Sequence, residues 1–282
     1  MGALTDTFTL STGARIPEVG FGTWQIPDGD TAYNAVRTAL ETGYRHIDTA
    51  HGYGNEASVG RAIRDSGVPR EEIFVTSKLP AAAKTHDEAV TRMEESLAHL
   101  DLGYIDLYLI HAPWPWGQHE KRFDEGNLAA WEVLQEGLGD GRLKAIGVSN
   151  FDVHDLENVL TKGDVAPAVN QIQYYIGFTE PVISGFCRDH DILVEAYSPL
   201  ATGDILDNAA VQAIADAHQV SLAQVALRFC LQNGVLPLPK AVGPDHIRAN
   251  AALDFQLSDE EMARLNELPD AAPGHYHNAT QG

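Results

Sequence analysis

Three short apolar runs in the first half of the chain each lead directly into an ionisable residue, namely Asp48, Lys78 and His111. Tyr53 follows the first of them after a turn-rich segment. In parallel α/β proteins, ligands and chemistry collect at the carboxyl ends of strands. A buried acid, lysine and histidine are costly there unless they pair with one another or with a ligand. For Asp48 alone, the alternative is that it only caps the next helix and that Tyr53 packs against this helix.

Strand and helix alternate along the rest of the chain, and eight strand-helix units can be counted. The predicted strands are 19–24, 45–47, 73–77, 105–110, 144–148, 168–171, 192–196 and 235–238. The predicted helices are 31–40, 57–63, 88–100, 128–138, 153–160, 181–187, 222–231 and 244–253. This alternation favours a (β/α)8 barrel, in which one ring of strands carries all the predicted chemistry.

A doubly wound nucleotide-binding sheet is the competing fold. It requires G-x-G-x-x-G after the first strand, whereas the segment from Gly20 to Gly22 has no third glycine in place and no helix starting at once. A glycine-containing hairpin over 8–17 precedes this segment and is predicted to plug the bottom of the barrel. We therefore expect residues 1–282 to form one barrel domain with a short tail over 269–282.

The composition excludes several classes of partner. The 282 residues include 40 acidic and 19 basic side chains, a formal charge of −21, which repels nucleic acid and anionic membrane surfaces. Solubility or a high-salt cytoplasm would each account for such a surface. Cys187 and Cys230 fall in apolar runs and are expected to be buried thiols. No signal-peptide pattern or membrane-length apolar run occurs, so we expect a cytoplasmic protein.

The residues at the predicted strand ends also identify a family. From the segment 20–24 to the helix at 244–253, the chain resembles the aldo-keto reductases. In that family a tetrad of aspartate, tyrosine, lysine and histidine lies at the barrel mouth, and the matching positions are Asp48, Tyr53, Lys78 and His111. The resemblance implies an enzyme that reduces aldehydes or ketones to alcohols.

The physical roles of these four residues follow from their chemistry. A free tyrosine has a pKa of about 10 and donates a proton poorly near neutral pH unless its phenolate is stabilised. Lys78 can supply that stabilisation, and Asp48 can keep the lysine charged and aimed. His111 can hydrogen-bond the substrate carbonyl. The rate of reduction is then predicted to report a group that titrates below a free tyrosine.

No side chain delivers hydride, so this chemistry requires a nicotinamide or a flavin. By resemblance, Ser149, Asn150 and Gln171 hydrogen-bond the nicotinamide carboxamide, and Tyr197 stacks on the ring. Ser198 and Leu200 are predicted to approach the pyrophosphate of the cofactor. Thr23 and Asp48 are the remaining predicted cofactor contacts in the part of the chain before the last strand. The alternative for Ser149 and Asn150 is that they cap the helix from residue 153.

The segment after the last strand resembles the family's adenosine-phosphate site. Lys240 supplies a charge, Asn250 matches the residue that contacts adenine, and the helix that begins near residue 244 offers its amide end to an anion. Ala241 and His246 stand where the family usually has serine and arginine. Because histidine is charged only when protonated, we predict a modest NADPH preference with usable NADH activity, and an NADPH advantage that grows as the pH falls.

Substrate choice is the least determined property. Trp24 and Trp114 are predicted to line an aromatic pocket, with Trp116 as a further candidate, and no basic residue stands ready for a substrate carboxylate or phosphate. Uncharged or bulky carbonyl compounds are expected as substrates. We predict a monomer without a metal ion, since His275 and His277 in the tail lack further ligands.

Two other functional classes compete with the reductase. A non-catalytic, cofactor-binding regulatory protein on the same fold would not require all four tetrad positions. A barrel isomerase or metal hydrolase would require a catalytic carboxylate pair or a metal cluster at the strand ends, and the sequence shows neither. The presence of all four tetrad residues favours the reductase over these two classes.

Overall fold

The computed structural model describes residues 2–269, and the tail with His275 and His277 lies outside the described residues. The chain opens with an antiparallel hairpin of β1 (Thr7–Thr9) and β2 (Arg15–Pro17), in which Phe8 pairs with Ile16. Eight parallel strands follow in sequence order: β3 (Phe21–Gly22), β4 (His46–Asp48), β5 (Phe74–Leu79), β6 (Ile105–Ile110), β7 (Leu143–Ser149), β8 (Val169–Gln173), β9 (Leu193–Tyr197) and β10 (Leu236–Pro237).

Backbone hydrogen bonds connect the two edges of this sheet. The Gly20 N–H donates to the Pro237 carbonyl at 3.1 Å, and the Gly22 N–H donates to the Pro239 carbonyl at 3.0 Å. A Cβ on Gly20 would lie 2.4 Å from the Leu238 side chain. The glycines of the G-x-G segment therefore serve this close approach of strands. The predicted (β/α)8 barrel is confirmed.

Ten helices are described, and they cover the outside of the strands. They are α1 (Asp30–Thr42), α2 (Glu56–Arg64), α3 (His86–Leu100), α4 (Asp124–Gly139), α5 (Val153–Lys162), α6 (Pro181–Asp189), α7 (Ala209–His218), α8 (Leu222–Gln232), α9 (Pro244–Ala251) and α10 (Asp259–Glu267). Among residues 2–269, no helix combines the length and apolar composition needed to cross a membrane.

The barrel interior is a packed apolar core and not a channel. Phe74, Leu107, Leu109 and Leu236 pack together there, and Leu10 and Ile16 of the hairpin join the same cluster. Fully burying each such side chain contributes roughly 1.5–3 kcal/mol. The predicted plug is thus present, and it closes the end of the barrel opposite the carboxyl ends of the strands.

Helix caps decide between two alternatives left open by the sequence. Asp152 caps α5, because its side chain accepts from the Asp155 N–H in a capping box. Ser149 and Asn150 are therefore not needed as caps. Asn55 occupies the N-cap position of α2, so Asp48 has no capping role there.

Candidate active site

Lys78 lies at the centre of a buried ionic network. Its side chain comes from β5 and is fully buried. The Nζ donates to Asp48 Oδ1 at 2.7 Å, to Asp48 Oδ2 at 2.8 Å and to the Thr49 carbonyl at 2.8 Å. Desolvation alone would lower the pKa of Lys78, but the Asp48 charge and the hydrogen bonds outweigh it, and the pKa lies above its usual value. Lys78 is therefore a stable cation.

Tyr53 lies on the cavity side of this network. It ends a short 3-10 helix, His51–Tyr53, and its hydroxyl oxygen is 3.3 Å from Lys78 Nζ. Desolvation raises the pKa of Tyr53, the Lys78 charge opposes the rise and the Asp48 charge supports it. Burial thus outweighs the neighbouring ammonium, and the raised pKa does not favour the prediction that the rate of reduction reports a group titrating below a free tyrosine. Tyr53 is protonated at neutral pH.

His111 follows β6 and faces Tyr53. The two rings meet edge to face with their centroids 5.6 Å apart. The pKa of His111 is held well below its usual value by desolvation and by the Lys78 charge. A neutral imidazole has one N–H to donate and cannot act as a strong acid near neutral pH. Its ring is thus suited to hold a carbonyl oxygen.

Asn55 is a supporting residue that the sequence did not reveal. Its buried side chain donates to the Thr23 and Ile26 carbonyls, each at 3.0 Å, and accepts from Thr49 Oγ1 at 2.8 Å. These contacts hold the β3 and β4 loops together beside the catalytic groups. Because two of the partners lie about thirty residues away in sequence, no local pattern could have indicated them.

One cavity of about 840 Å³ collects most of the predicted residues. Tyr53, His111 and Trp24 line it. So do all predicted cofactor contacts except Thr23, namely Asp48, Ser149, Asn150, Gln171, Tyr197, Ser198, Leu200, Lys240, His246 and Asn250. Lys78 does not line the cavity itself, but it contacts Tyr53 and Asp48, which do. These predicted residues therefore surround one cavity.

Besides Lys78, two predicted residues do not line this cavity. Thr23 is fully buried, and its hydroxyl donates to the Asp48 carbonyl at 3.0 Å, so it ties β3 to β4. Trp114 is only 6% exposed and packs on Ala81 and Ala112, whereas Trp116 is 53% exposed and lines the cavity. The loop after β6 therefore buries the first tryptophan and presents the second to the cavity.

The cavity wall beside the tetrad carries amide side chains and suits a carboxamide. Asn150 accepts from Tyr197 Oη at 2.7 Å, and its Nδ2 donates to the His111 carbonyl at 3.0 Å. Ser149 Oγ donates to the Gln171 carbonyl at 2.8 Å. These bonds fix the polar groups before a ligand arrives. Together with the Tyr197 ring and the cavity volume of about 840 Å³, these fixed polar groups fit a nicotinamide nucleotide.

The segment after β10 supplies the remaining contacts. Lys240 and His246 are exposed at the cavity wall, and Asn250 of α9 is buried there. Arg248 lies outside the wall, with its guanidinium 3.4 Å from Asp245. It therefore does not replace the family's usual arginine in this structure.

A possible cation cluster elsewhere is already neutralised. Asp124, His154 and Asp155 each offer one atom within 4.8 Å of the others. Arg122 pairs with Asp155 at 3.0 Å, and His154 pairs with Asp124 at 3.0 Å. Side-chain partners within the protein therefore already hold all three groups of this cluster.

Comparisons with known proteins agree with this geometry. A sequence model of the aldo/keto reductase family matches residues 18–270. Glyoxal reductase of Bacillus subtilis is 40% identical over 267 residues, covering 94% of each chain. Glycerol 2-dehydrogenase (NADP(+)) of Saccharomyces cerevisiae is 39% identical and covers 94% of this chain and 91% of its own. The structure of a Bombyx mori aldo-keto reductase in complex with NADP superposes with a TM-score of 0.85 at 32% identity, covering 94% of this chain and 93% of that one.

Proposed function

The chain belongs to the aldo/keto reductase family, and from this premise we propose that Tyr53 is the proton donor of its reaction. The protein is an oxidoreductase that reduces carbonyl compounds with NAD(P)H. The observation that carries the proposal is the position of Lys78, whose Nζ contacts both Asp48 and the Tyr53 hydroxyl. The single-domain organisation and the monomeric state stay predictions.

When bound, the nicotinamide supplies the hydride that becomes attached to the carbonyl carbon. Tyr53 then gives its proton to the carbonyl oxygen, which completes the alcohol and leaves a phenolate. The ammonium of Lys78 stabilises that phenolate, and Asp48 keeps Lys78 charged. These interactions are strongest once the phenolate forms, so they lower the barrier more than they tighten ground-state binding.

His111 orients the substrate in this proposal. Because its pKa is lowered, the ring is neutral and donates a hydrogen bond without surrendering a proton. Two donors, Tyr53 and His111, then converge on one carbonyl oxygen. Such convergence fixes the carbonyl relative to the cofactor.

The substrate is proposed to be an uncharged carbonyl compound with an apolar body. Trp24, Trp116, Leu206 and Val242 are four of the five exposed large apolar side chains of residues 2–269, and all four line the cavity. Exposed apolar surface concentrated in a concave site favours apolar ligands. The two cavity-lining side chains able to bind an anion by charge, Lys240 and His246, belong to the proposed cofactor phosphate site.

NADPH is proposed as the preferred cofactor, with NADH also used. Lys240 and the amide end of α9 offer positive potential to the 2′-phosphate. Ala241 provides no hydroxyl, and His246 is charged only when protonated. The preference for NADPH is therefore modest.

The direct test is turnover by the wild-type protein. Nicotinamide absorbance is followed with NADPH or NADH and a carbonyl panel that contrasts aromatic, short aliphatic and carboxylate-bearing aldehydes. We expect turnover, fastest with apolar uncharged members and higher kcat/KM with NADPH. Tight cofactor binding without turnover of any member would contradict the proposal and favour a non-catalytic role.

A further inference from the structure

A second carboxyl group lies inside the barrel beneath the proposed nicotinamide site. Glu195 belongs to β9, where it stands opposite Gln171 of β8 and Leu236 of β10. Its side chain is fully buried. An unpaired carboxylate is expensive in such a place. The reaction described above gives Glu195 no role, so its presence requires an explanation.

Glu195 is connected to the tetrad through one amide group. Gln171 Nε2 donates to Glu195 Oε2 at 2.8 Å and to Asp48 Oδ2 at 2.9 Å. An amide nitrogen carries two hydrogens, and both are directed to carboxyl groups. The side-chain amide oxygen of Gln171 is therefore the atom left to meet a ligand in the cavity that Gln171 lines.

The charges around Glu195 leave it without a cation of its own. Lys78 of β5 is paired with Asp48 of β4, and Oε1 of Glu195 has no hydrogen-bond partner among the described residues. The other buried titratable side chain of β4, His46, is neutral, since desolvation and the Lys78 charge lower its pKa to about 3. Desolvation, followed by the Asp48 charge, raises the pKa of Glu195 to about 8, while Gln171 and Lys78 oppose the rise. The carboxyl is protonated at neutral pH and ionises in mildly alkaline solution.

We propose that Glu195 is a positioning residue that directs the Gln171 amide oxygen toward the nicotinamide, and that ionisation of Glu195 shifts the site's preference toward the oxidised cofactor. This inference rests on the proposed function, which places the nicotinamide at Gln171. The oxidised ring carries one more positive charge than the reduced ring, so a new negative charge beneath it favours the oxidised form. By linkage, binding of oxidised cofactor must release part of a proton from Glu195.

The test measures the dissociation constants of NADP+ and NADPH by fluorescence titration from about pH 6 to about pH 9. Lys240 and His246 are proposed to contact the adenosine half, which is the same in both cofactors. Their contributions therefore cancel in the ratio Kd(NADP+)/Kd(NADPH). In the wild type we expect the ratio to fall by about fivefold or more as the pH rises. We expect the fall to persist in Tyr53→Phe, which removes the tyrosine hydroxyl beside Lys78, and to disappear in Glu195→Gln.

Two further measurements test the positioning role of Glu195 and keep the inference testable if a Glu195 variant fails to fold. Glu195→Gln retains an acceptor for the Gln171 amide and should keep wild-type NADPH affinity near pH 6. Glu195→Met lacks that acceptor and should weaken the binding of both cofactors. Calorimetry of the Tyr53→Phe protein in two buffers of different ionisation enthalpy should show a proton exchange near pH 8 that is shifted toward release with NADP+ relative to NADPH, because any uptake by His246 is common to both cofactors.

Three outcomes would each overturn the inference: a ratio that stays constant with pH in the wild type, a fall that survives in Glu195→Gln, or the same proton exchange with NADP+ and NADPH. These outcomes leave the proposed function intact, provided that both nicotinamides bind. Failure of either nicotinamide to bind the wild-type protein would instead contradict the proposed function itself.

Discussion

The ammonium nitrogen of Lys78 lies 3.3 Å from the hydroxyl oxygen of Tyr53. This short separation places a permanent positive charge beside the group proposed to lose a proton. The same ammonium is held by both carboxylate oxygens of Asp48. The position of the charge is thus fixed before substrate binds, so no reorganisation is needed at the moment of proton transfer.

Removing the Lys78 charge should slow reduction and change its pH dependence. Tyr53 donates only when protonated, so the wild-type rate should hold through neutral pH and decline as the pH rises through the raised pKa of Tyr53. Lys78 lowers that pKa, so Lys78→Met should move the decline to higher pH while reducing kcat by about a hundredfold or more. Lys78→Arg, which keeps the charge, is the matched control. A decline at lower pH in Lys78→Met would contradict the assignment.

The two tryptophans of the β6 loop provide a matched pair of substitutions. Trp116→Ala removes an exposed cavity wall, so it should raise KM for bulky aromatic aldehydes and leave the free energy of unfolding nearly unchanged. Trp114→Ala leaves a cavity where a buried ring is packed, so it should lower the free energy of unfolding by about 3–5 kcal/mol. Denaturant unfolding and steady-state kinetics measure both effects. The reverse pattern would mean that the loop is placed differently in solution.

Arginine at position 246 should sharpen the cofactor preference. Arginine is charged at every working pH and can bind a phosphate through two hydrogen bonds, whereas histidine is charged only when protonated. For His246→Arg, the ratio of kcat/KM values for NADPH and NADH should rise by about tenfold near pH 8 and by less near pH 6. In the wild type the same ratio should grow as the pH falls. A wild-type NADH preference at every pH, unaltered by the arginine, would show that the phosphate binds elsewhere.

The strand ends were predictable because each is marked by a short apolar run that stops at a polar residue. Asp48, Lys78 and His111 could therefore be placed on one rim before any contact was known. The prediction was less complete where the chain is irregular or weakly patterned. Helices α7 and α10 were missed, and α4 begins at Asp124, four residues before its predicted start at 128.

The remaining differences come from contacts between distant parts of the chain. Nothing near Trp114 or Trp116 indicates which ring the folded loop buries, because both lie in the same Pro-rich segment. Glu195 looks like an isolated acid in a strand until β8 brings Gln171 beside it. Such cross-strand partners are set by tertiary register, which the sequence of one strand does not contain.

The most direct measurement of the central claim compares NADPH binding and turnover in Tyr53→Phe. Phenylalanine removes only the hydroxyl, so the dissociation constant for NADPH should stay within about twofold of wild type while kcat falls by at least about a thousandfold. The spared binding shows that the fold and cofactor site are intact, and the lost turnover isolates the proton donor. Turnover within about tenfold of wild type would contradict the assignment of Tyr53 as the proton donor.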